Sequence, residues 1–348
     1  MPFSPANRKG TINGIIFVAI FAAAATMIAD IAFVKSLGIS PLVIGIVIGI
    51  FYANTLHNST PKAWASGVTF SGKKILRFAI VFYGFRITFQ QIAEVGVEGF
   101  MVSLIMLSTT FVLGTWAGQR IFKMDRDTSM LTAAGASVCG AAAVLATEPV
   151  LKAEDHKTAV AVSMVVLFGT IAMFLYPALY NVGFFDMNAK EFGIYVGGTI
   201  HEVAQVVAVP ASILGASEEM ANSAVIVKMT RVIMIAPMLI ILGIYLSFSA
   251  KKTGDQAGGV KLVIPWFAVY FIGMAGFNSL QIVPLNIVDV INEIDTFLLT
   301  MAMTALGMGT IFAKFKGLGL APIYTAGLMF GWLMVGGYFV TKWVVAVF

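Results

Sequence analysis

Charged residues are scarce in this sequence: Asp, Glu, Lys and Arg make up only 11% of its 348 residues, whereas 59% are hydrophobic. Soluble domains carry about 25% charged and roughly 45–50% apolar residues, so this composition excludes an ordinary soluble domain. No long linker or low-complexity tract interrupts the apolar runs. The sequence therefore predicts one integral membrane domain over residues 1–348.

Cysteine and histidine are nearly absent as well. The one cysteine, Cys139, excludes an internal disulfide and a cysteine-rich metal site. The other two histidines, His57 and His156, are distant in sequence from His201. No G-x-x-x-x-G-K-[ST] string for ATP binding is present. We therefore expect no enzyme activity, no metal and no cofactor, and any transport would have to be driven by a gradient.

Long apolar runs are abundant. A helix needs about 20 mostly apolar residues to cross roughly 30 Å of hydrocarbon. Eleven runs qualify, and their length without alternation favours an all-α polytopic protein over a barrel. The predicted spans lie near residues 12–30, 40–57, 75–93, 99–121, 129–148, 158–180, 192–209, 222–248, 262–280, 295–313 and 320–347.

Basic residues are distributed unevenly between alternate loops. Lys and Arg are retained in cytoplasmic loops, which also explains the net charge of +5 without nucleic acid. The pattern predicts a cytoplasmic N-terminus and an outer C-terminus, with fourteen basic residues inside and three outside. The inner group is Arg8, Lys9, Lys62, Lys73, Lys74, Arg120, Lys123, Arg126, Lys190, Lys251, Lys252, Lys261, Lys314 and Lys316, and the outer group is Lys35, Lys152 and Lys157.

An internal repeat is suggested by two similar strings. "KKILRFAIVFYGF" can be laid on "VKMTRVIMIAPML" with a shift of 154 residues. This shift predicts two five-helix units, about 40–180 and 192–347, after an extra helix at about 12–30. Because five is odd, the second unit would be inverted, which is a transporter architecture with its site near the midplane.

The fifth predicted span, "TSMLTAAGASVCGAAAVLATEPV", is rich in small residues. They indicate either a close packing face or a break in the helix, whose freed N–H groups would face an anion. A second glycine-rich string, Thr304 to Phe312, lies at the corresponding place of the second unit and favours an interruption in both helices. The candidate anion cradle is Ser137, Val138, Cys139 and Gly140. Asp127 or Thr128 is the expected N-cap of the span.

Three basic residues lie inside or near predicted spans. Arg86 at the end of the third span either reaches the outer surface or binds an anion, for which a guanidinium is well suited. Lys228 and Arg231 share one face near the start of the eighth span and are predicted to line a cavity. The three are candidate substrate-binding residues.

The string "HEVAQ" places His201, Glu202 and Gln205 in another apolar run. It differs from the zinc-peptidase motif H-E-x-x-H in its last residue, and glutamine is a poor zinc ligand. The remaining interpretations are a buried polar cluster that joins helices, or a site where His201 and Glu202 carry a proton and Gln205 contacts the substrate.

Several strings resemble the YeiH-like family of bacterial inner-membrane proteins, which is also named for a proposed export of sulfate. They include "VFYGFRITFQQIAEVG", "GASVCGAAAV", "HEVAQVV" and "SAVIVKMTRVIMIAP", and the resemblance extends from about Ile44 to Trp343. The resemblance implies a secondary transporter of the cation/proton antiporter-like superfamily, in the bacterial inner membrane. It also implies an inverted repeat around two interrupted helices that cross near the midplane.

The combined expectation is a secondary transporter that exports a small anion, with sulfate or sulfite leading, coupled to protons. The alternatives are a passive anion channel, or a cation/proton or organic-anion carrier of the same fold. The expected partners are the anion, the coupling proton and membrane lipid, without nucleic acid, and the chain could form a homodimer.

Overall fold

A computed structural model describes residues 3–4, 7–36, 40–56, 61–253, 265–315 and 319–348. Every regular element in these ranges is helical. The α-helices are α1 (Arg8–Ala29), α2 (Ala32–Ser36), α3 (Pro41–Thr55), α4 (Ala65–Phe70), α5 (Leu76–Tyr83), α6 (Phe89–Arg120), α7 (Arg126–Ser137), α8 (Ala141–Leu151), α9 (Asp155–Asn181), α10 (Ala189–Thr199), α11 (Val203–Ala211), α12 (Glu218–Ile233), α13 (Ile235–Thr253), α14 (Trp266–Ser279), α15 (Leu285–Gly309), α16 (Leu320–Gly331) and α17 (Gly337–Val347). His57, Lys261 and Lys316 lie outside the described residues.

Five apolar helical stretches of the described chain are long enough to cross a membrane. They are Arg8–Ala29, Phe89–Arg120, Asp155–Asn181, Glu218–Phe248 and Leu320–Val347. Shorter π-helical and 3₁₀ segments connect other helices, such as residues 71–75 between α4 and α5 and the turn Gly84–Arg86 after α5. We call the end of the bundle at which α1 begins the proximal end, and the opposite one the distal end.

Helices α7 and α8 form a hairpin that returns to the proximal end. They are separated by residues 138–140. In the first turn of α9, Lys157 Nζ lies 3.2 Å from Asp125 and 3.1 Å from Asp127, at the start of α7. Because only three residues join α8 to α9, α8 must end where α7 begins. The predicted break is confirmed, but the predicted single span over about 129–148 is wrong.

The N-cap of this hairpin is Asp125, whose carboxylate accepts the Thr128 N–H at 3.1 Å. The predicted N-cap, Asp127 or Thr128, is wrong because Asp127 already lies within the first helical turn. Burial acts to raise the pKa of Asp125, but hydrogen bonds with Thr128 and Lys157 outweigh it and hold the pKa below its ordinary value. The carboxylate is therefore ionised at neutral pH and keeps α7 attached to α9.

Helix α12 begins at the distal end and runs parallel to α10. Helix α6 ends beside the start of α7, where an added Cβ at Gly118 would meet Ser129, so α6 begins at the distal end. At that end, Asn222 of α12 donates to the Arg86 carbonyl just before α6. The parallel direction follows from the contact of Gly193 in α10 with the Met220 carbonyl of α12. Both residues lie within about one turn of the start of their own helix.

Helices α10 and α11 form a second hairpin, which enters from the distal end. The six residues 212–217 between α11 and α12 span at most about 20 Å when extended. If α11 continued onward from α10, this loop would have to reach back over both helices, about 30 Å at 1.5 Å per residue. Helix α11 therefore returns to the distal end, and the predicted single span over about 192–209 is wrong.

The two hairpins correspond to each other along the chain. Helices α7, α8 and α9 begin 62 or 63 residues before α10, α11 and α12, respectively. The predicted shift of 154 residues instead pairs α7–α8 with α15, which is unbroken to Gly309. The prediction of a second interruption within Thr304 to Phe312 is therefore wrong, because α15 continues through most of this string and Gly307 packs against Ile46 of α3. The second interruption lies instead at residues 200–202, between α10 and α11.

Packing divides the bundle into two groups of helices. The hairpin group contains α6 to α12 with α16 and α17, and the scaffold group contains α1, α3, α4, α5, α14 and α15. A largely apolar cavity of about 350 Å³ lies between α3 and the end of α15 on one side and α9 on the other. Its wall includes Val47, Ile50, Leu167, Thr170, Ile171, Phe174, Thr310 and Phe312.

Candidate functional site

The tips of the two hairpins meet in the middle of the bundle, where Lys228 joins them. Its Nζ donates to the carbonyl oxygens of Val138 at 2.8 Å, Ile200 at 2.7 Å and His201 at 2.7 Å. The first belongs to the proximal hairpin and the other two to the distal one. All three hydrogens of the ammonium group are thus directed at backbone oxygens, and the side chain is fully buried.

Arg231, one turn further along α12, has a similar role. Its Nε donates to the Ser137 carbonyl at 2.6 Å, and its Nη2 to the Ala136 carbonyl at 2.7 Å. Its Nη1 donates to the Gly198 carbonyl at 2.8 Å. The last carbonyls of a helix lack intrahelical partners and carry a partial negative charge. Lys228 and Arg231 therefore cap the C-terminal ends of α7 and α10 together.

The first turn of α8 faces the opposite way and presents N–H groups to Glu202. The Ala141 N–H donates to Glu202 Oε1 at 3.3 Å. Gly140, with φ +74°, permits this approach, because an added Cβ there would overlap Glu202 Cγ. The carboxylate of the distal hairpin thus lies at the positive N-terminal end of the proximal hairpin's second helix. Glu202 is only partly buried.

Gln205 and His201 carry polar atoms that make no hydrogen bond among the described residues. Gln205 Oε1 accepts the Glu202 N–H at 3.1 Å, whereas its Nε2 donates to nothing although the residue is fully buried. His201 Nδ1 is likewise unpaired, in a residue only 2% exposed. Gly169 of α9 provides the space for the Gln205 amide. A buried, unsatisfied amide donor indicates that an acceptor can be bound here.

The predicted cradle at residues 137–140 is placed at the proximal tip, but most of its backbone is already paired. The Val138 N–H donates to the Ala134 carbonyl, and the Gly140 N–H to the Gly135 carbonyl. Ser137 Oγ also donates to Ala134 at 3.3 Å. Cys139 is a buried free thiol. The N–H group directed at an acid is that of Ala141, one residue beyond the predicted cradle.

Arg86 is not brought to the hairpin tips. It lies near the distal end in the turn after α5, where its Nη2 donates to the Asn292 carbonyl at 2.6 Å and to Thr296 Oγ1 at 2.7 Å. Its Nε lies 3.6 Å from Asp295. Sequence reasoning missed Asp295, although an aspartate at the start of the tenth predicted span is a detectable signal.

The described residues contain no group of three or more His, Cys, Asp or Glu side chains that could hold a metal ion. Gln205 is hydrogen-bonded to the Glu202 N–H, so "HEVAQ" caps a helix in this structure. The arrangement is a buried polar centre in which two pairs of half-helix ends converge, one pair on Lys228 and Arg231 and the other near Glu202.

The chain is similar to several bacterial membrane proteins. A family model described as "Conserved hypothetical protein 698" matches residues 13–326. A "UPF0324 membrane protein" of Bordetella pertussis is 48% identical over 97% of this chain and 96% of the relative. A protein of the same name from Bacteroides thetaiotaomicron is 45% identical over 95% of this chain and 98% of the relative. The "UPF0324 inner membrane protein YeiH" of Escherichia coli is 45% identical over 94% and 92%. No solved structure matches.

Proposed function

This chain belongs to the UPF0324 family of membrane proteins, and we propose that it is a secondary active transporter that exports a small anion, with sulfate or sulfite as the leading substrates, coupled to protons. The observation that carries the proposal is the meeting of two hairpins, which enter from opposite ends, at a buried centre with two cationic side chains. Broken helices that meet at the midplane are typical of secondary transporters.

In this proposal the anion binds at the N-terminal ends of α8 and α11. Helix N-termini combine free N–H groups with a positive dipole and so attract oxyanions. The unpaired Nε2 of Gln205 would donate to the substrate. Lys228 and Arg231 contribute positive charge through space, because their N–H groups are directed at carbonyls.

Glu202 would act as an internal anion that the substrate displaces. Its carboxylate now accepts the Ala141 N–H, which is a group we assign to the substrate. Protonation removes the negative charge and weakens this hydrogen bond, so uptake of a proton would favour binding of the anion. His201, the next residue, would pass the proton on through its unpaired Nδ1.

Alternating access would arise from movement of the hairpin group against the scaffold group. The cavity of about 350 Å³ between α3 and α9 lies along the boundary of the two groups, which supports a boundary that is not fully packed. The hairpins would move together, because Lys228 and Arg231 bond both tips.

The hairpins also strengthen the proposed orientation in a bacterial inner membrane. With both hairpins returning to the end from which they enter, Lys152 and Lys157 join the predicted inner group and Lys190 leaves it. The predicted excess of basic residues then rises from fourteen against three to fifteen against two. This favours a cytoplasmic N-terminus and an outer C-terminus.

A cation/proton carrier is the second candidate, and one observation favours it. Both buried cations of the centre are occupied by backbone carbonyls, which leaves Glu202 as the ionisable side chain that can still exchange partners. A cation substrate would then compete with a proton for Glu202. A passive anion channel remains the rival from a different class of transport protein.

Flux through purified protein in sealed lipid vesicles tests the proposal. We expect sulfate or sulfite flux that follows an imposed pH gradient and falls about 100-fold or more in Glu202→Gln, since a positioned proton-transfer group contributes on this order. The exposed Glu219 on α12 provides the control variant Glu219→Gln, which should match the wild type. Fast ion conductance without proton movement would indicate a channel. Proton-coupled cation flux without anion flux would favour the second candidate.

A further inference from the structure

A second buried acidic group lies near the distal end, away from the hairpin tips. Asp295 of α15 is 1% exposed, and neither of its carboxylate oxygens accepts a hydrogen bond among the described residues. The Asn292 Oδ1 one turn earlier is also unpaired. The nearest cation is Arg86, whose Nε lies 3.6 Å from Asp295 Oδ2 and makes no hydrogen bond either.

The guanidinium of Arg86 is held by neutral oxygens rather than by the carboxylate. Its Nη2 donates to the Asn292 carbonyl and to Thr296 Oγ1. An ionised carboxylate beside an arginine normally accepts two parallel N–H bonds. A buried carboxylate that accepts none loses its hydration without replacement, which is strongly unfavourable for the charged form. The observed geometry therefore disfavours the ionised form of Asp295 and favours the neutral, protonated form.

We propose that Asp295 is a proton-binding site of this protein, with Arg86 as the counter-ion that takes its carboxylate when the proton leaves. In the protonated state Arg86 stays bound to Asn292 and Thr296, as observed. In the ionised state the guanidinium turns its Nε and Nη2 edge to the carboxylate. The proton reaches the pair from the distal side, because the Arg86 side chain is 29% exposed.

Few other charged groups face Asp295. Tyr83 of α5 lies under the guanidinium of Arg86, with Arg86 Cζ 5.1 Å from the ring centre. Glu218 at the start of α12 lies within electrostatic range of the Tyr83 side chain. Lys73 and Lys74 directly follow Gly72 in the π-helical segment, and Gly72 lies beside Ala305 of α15, ten residues or about 15 Å along the helix from Asp295.

The remaining neighbouring helices carry their ionisable groups elsewhere. Helices α1 and α3 carry Arg8, Lys9 and Tyr52 near the proximal end, and Arg77 of α5 lies over the ring of Phe267. The acidic residues nearer the distal end are exposed: Asp30 after α1, and Asp289 and Glu293 of α15. Glu202 at the start of α11 is engaged with Ala141 at the hairpin tip. Arg86 is therefore the group that decides how readily the Asp295 proton leaves.

The pair is connected to the hairpin group through the backbone of Arg86. The Arg86 carbonyl accepts from Asn222 of α12, and the same helix carries Lys228 and Arg231 further along. A turn of the Arg86 side chain would therefore act on the helix that joins the hairpin tips. This consequence for coupling rests on the proposed transport function, whereas the binding of a proton to Asp295 does not.

Infrared difference spectroscopy of the purified protein in lipid tests proton binding without any transport. We expect the wild type to show the carbonyl stretch of a buried protonated carboxyl group, which disappears between about pH 4 and pH 10, the range that covers ordinary acidic groups and shifted ones. Asp295→Asn should remove this band and still fold, because the amide resembles the protonated acid. Asp289→Asn, at an exposed position of the same helix, should retain the band.

Two results would overturn the inference. One is a difference spectrum of Asp295→Asn that matches that of the wild type, since all of its bands would then belong to other carboxyl groups such as Glu202. The other is an Asp295 signal that does not change across the pH range, since such a group neither takes up nor releases a proton. Vesicles holding Asp295→Asn add the coupling test: we expect anion flux that no longer follows the pH gradient. Absence of flux in the wild type would contradict the proposed function and leave the infrared result standing.

Discussion

Replacing Lys228 with methionine is expected to abolish stable folding, which is the largest effect foreseen for a single substitution. The change keeps the length of the side chain but leaves the carbonyls of Val138, Ile200 and His201 without their donor in a buried position. Each unsatisfied group costs about 1–3 kcal/mol. The three together cost about 3–9 kcal/mol, a range that extends beyond the roughly 4–5 kcal/mol that few point mutations reach.

The measurement is the thermal stability and the monodisperse yield of the purified variant in detergent. The control is Lys62→Met, at an exposed position of a 3₁₀ turn, which should behave as the wild type does. A Lys228→Met protein whose unfolding free energy stays within about 1 kcal/mol of the wild type would show that the ammonium group is not the joint between the hairpins.

Replacing Gly140 with alanine is expected to give the second-largest effect, a loss of transport by about 100-fold, since misplacing a catalytic or binding group by 1 Å can cost this much. The added Cβ would overlap Glu202 Cγ and push the carboxylate away from the Ala141 N–H. It would also strain a backbone with φ +74° and ψ −138°, a region occupied almost only by glycine, by about 1–3 kcal/mol.

A second glycine separates the two causes. Gly215 has φ +73°, but an added Cβ there would meet nothing within 4 Å. Gly215→Ala thus tests a positive φ without the collision at Glu202. Anion flux and thermal stability should be measured for both variants. If Gly140→Ala loses no more flux than Gly215→Ala does, the contact between Gly140 and Glu202 has no part in transport.

The sequence predicted the break between α7 and α8. It did not show that either α8 or α11 returns to the end of the bundle from which its hairpin enters. Helices α7 and α8 with the turn between them form a continuous apolar run, and hydropathy measures only the length of such a run. The return is visible in contacts between residues distant in sequence, such as the ion pairs of Lys157 with Asp125 and Asp127, which no periodicity encodes. The N-cap predicted at Asp127 or Thr128 was two or three residues too late, because Asp125 is the capping residue.

The second break was expected at glycines and occurs at polar residues. Gly307 of α15 serves packing, since it lies against the Ile46 carbonyl and Gly49 of α3. Glycine therefore indicates either close helix packing or a break, and only the neighbouring element decides which. At residues 200–202 the break coincides with His201 and with Glu202, whose carboxylate accepts the Ala141 N–H of the opposite hairpin.

The candidate residues were grouped correctly for the most part, but the chemistry of the cations was not foreseeable. His201, Glu202, Gln205, Lys228 and Arg231 meet at the tips together with residues 137–140. The acceptors of Lys228 and Arg231 are backbone carbonyls, and a sequence does not show which carbonyls a tertiary fold leaves unpaired. Whether these residues bind substrate stays a prediction.

The central architectural claim is that two hairpins enter from opposite ends of the bundle, and cysteine labelling tests it most directly. Replacing the single Cys139 with serine provides a background without other cysteines. Single cysteines would then be placed at four exposed loop positions, Lys123, Lys152, Asp186 and Leu214, and exposed to a membrane-impermeant maleimide in vesicles of each orientation.

If the two hairpins enter from opposite ends, cysteines at Lys123 and Lys152 will react from one side of the membrane and those at Asp186 and Leu214 from the other. Uninterrupted crossing of the membrane by α7–α8 and by α10–α11 would instead make the four positions alternate, with Lys123 and Asp186 on one side and Lys152 and Leu214 on the other. That alternating result would contradict the two hairpins and the anion site built from their tips.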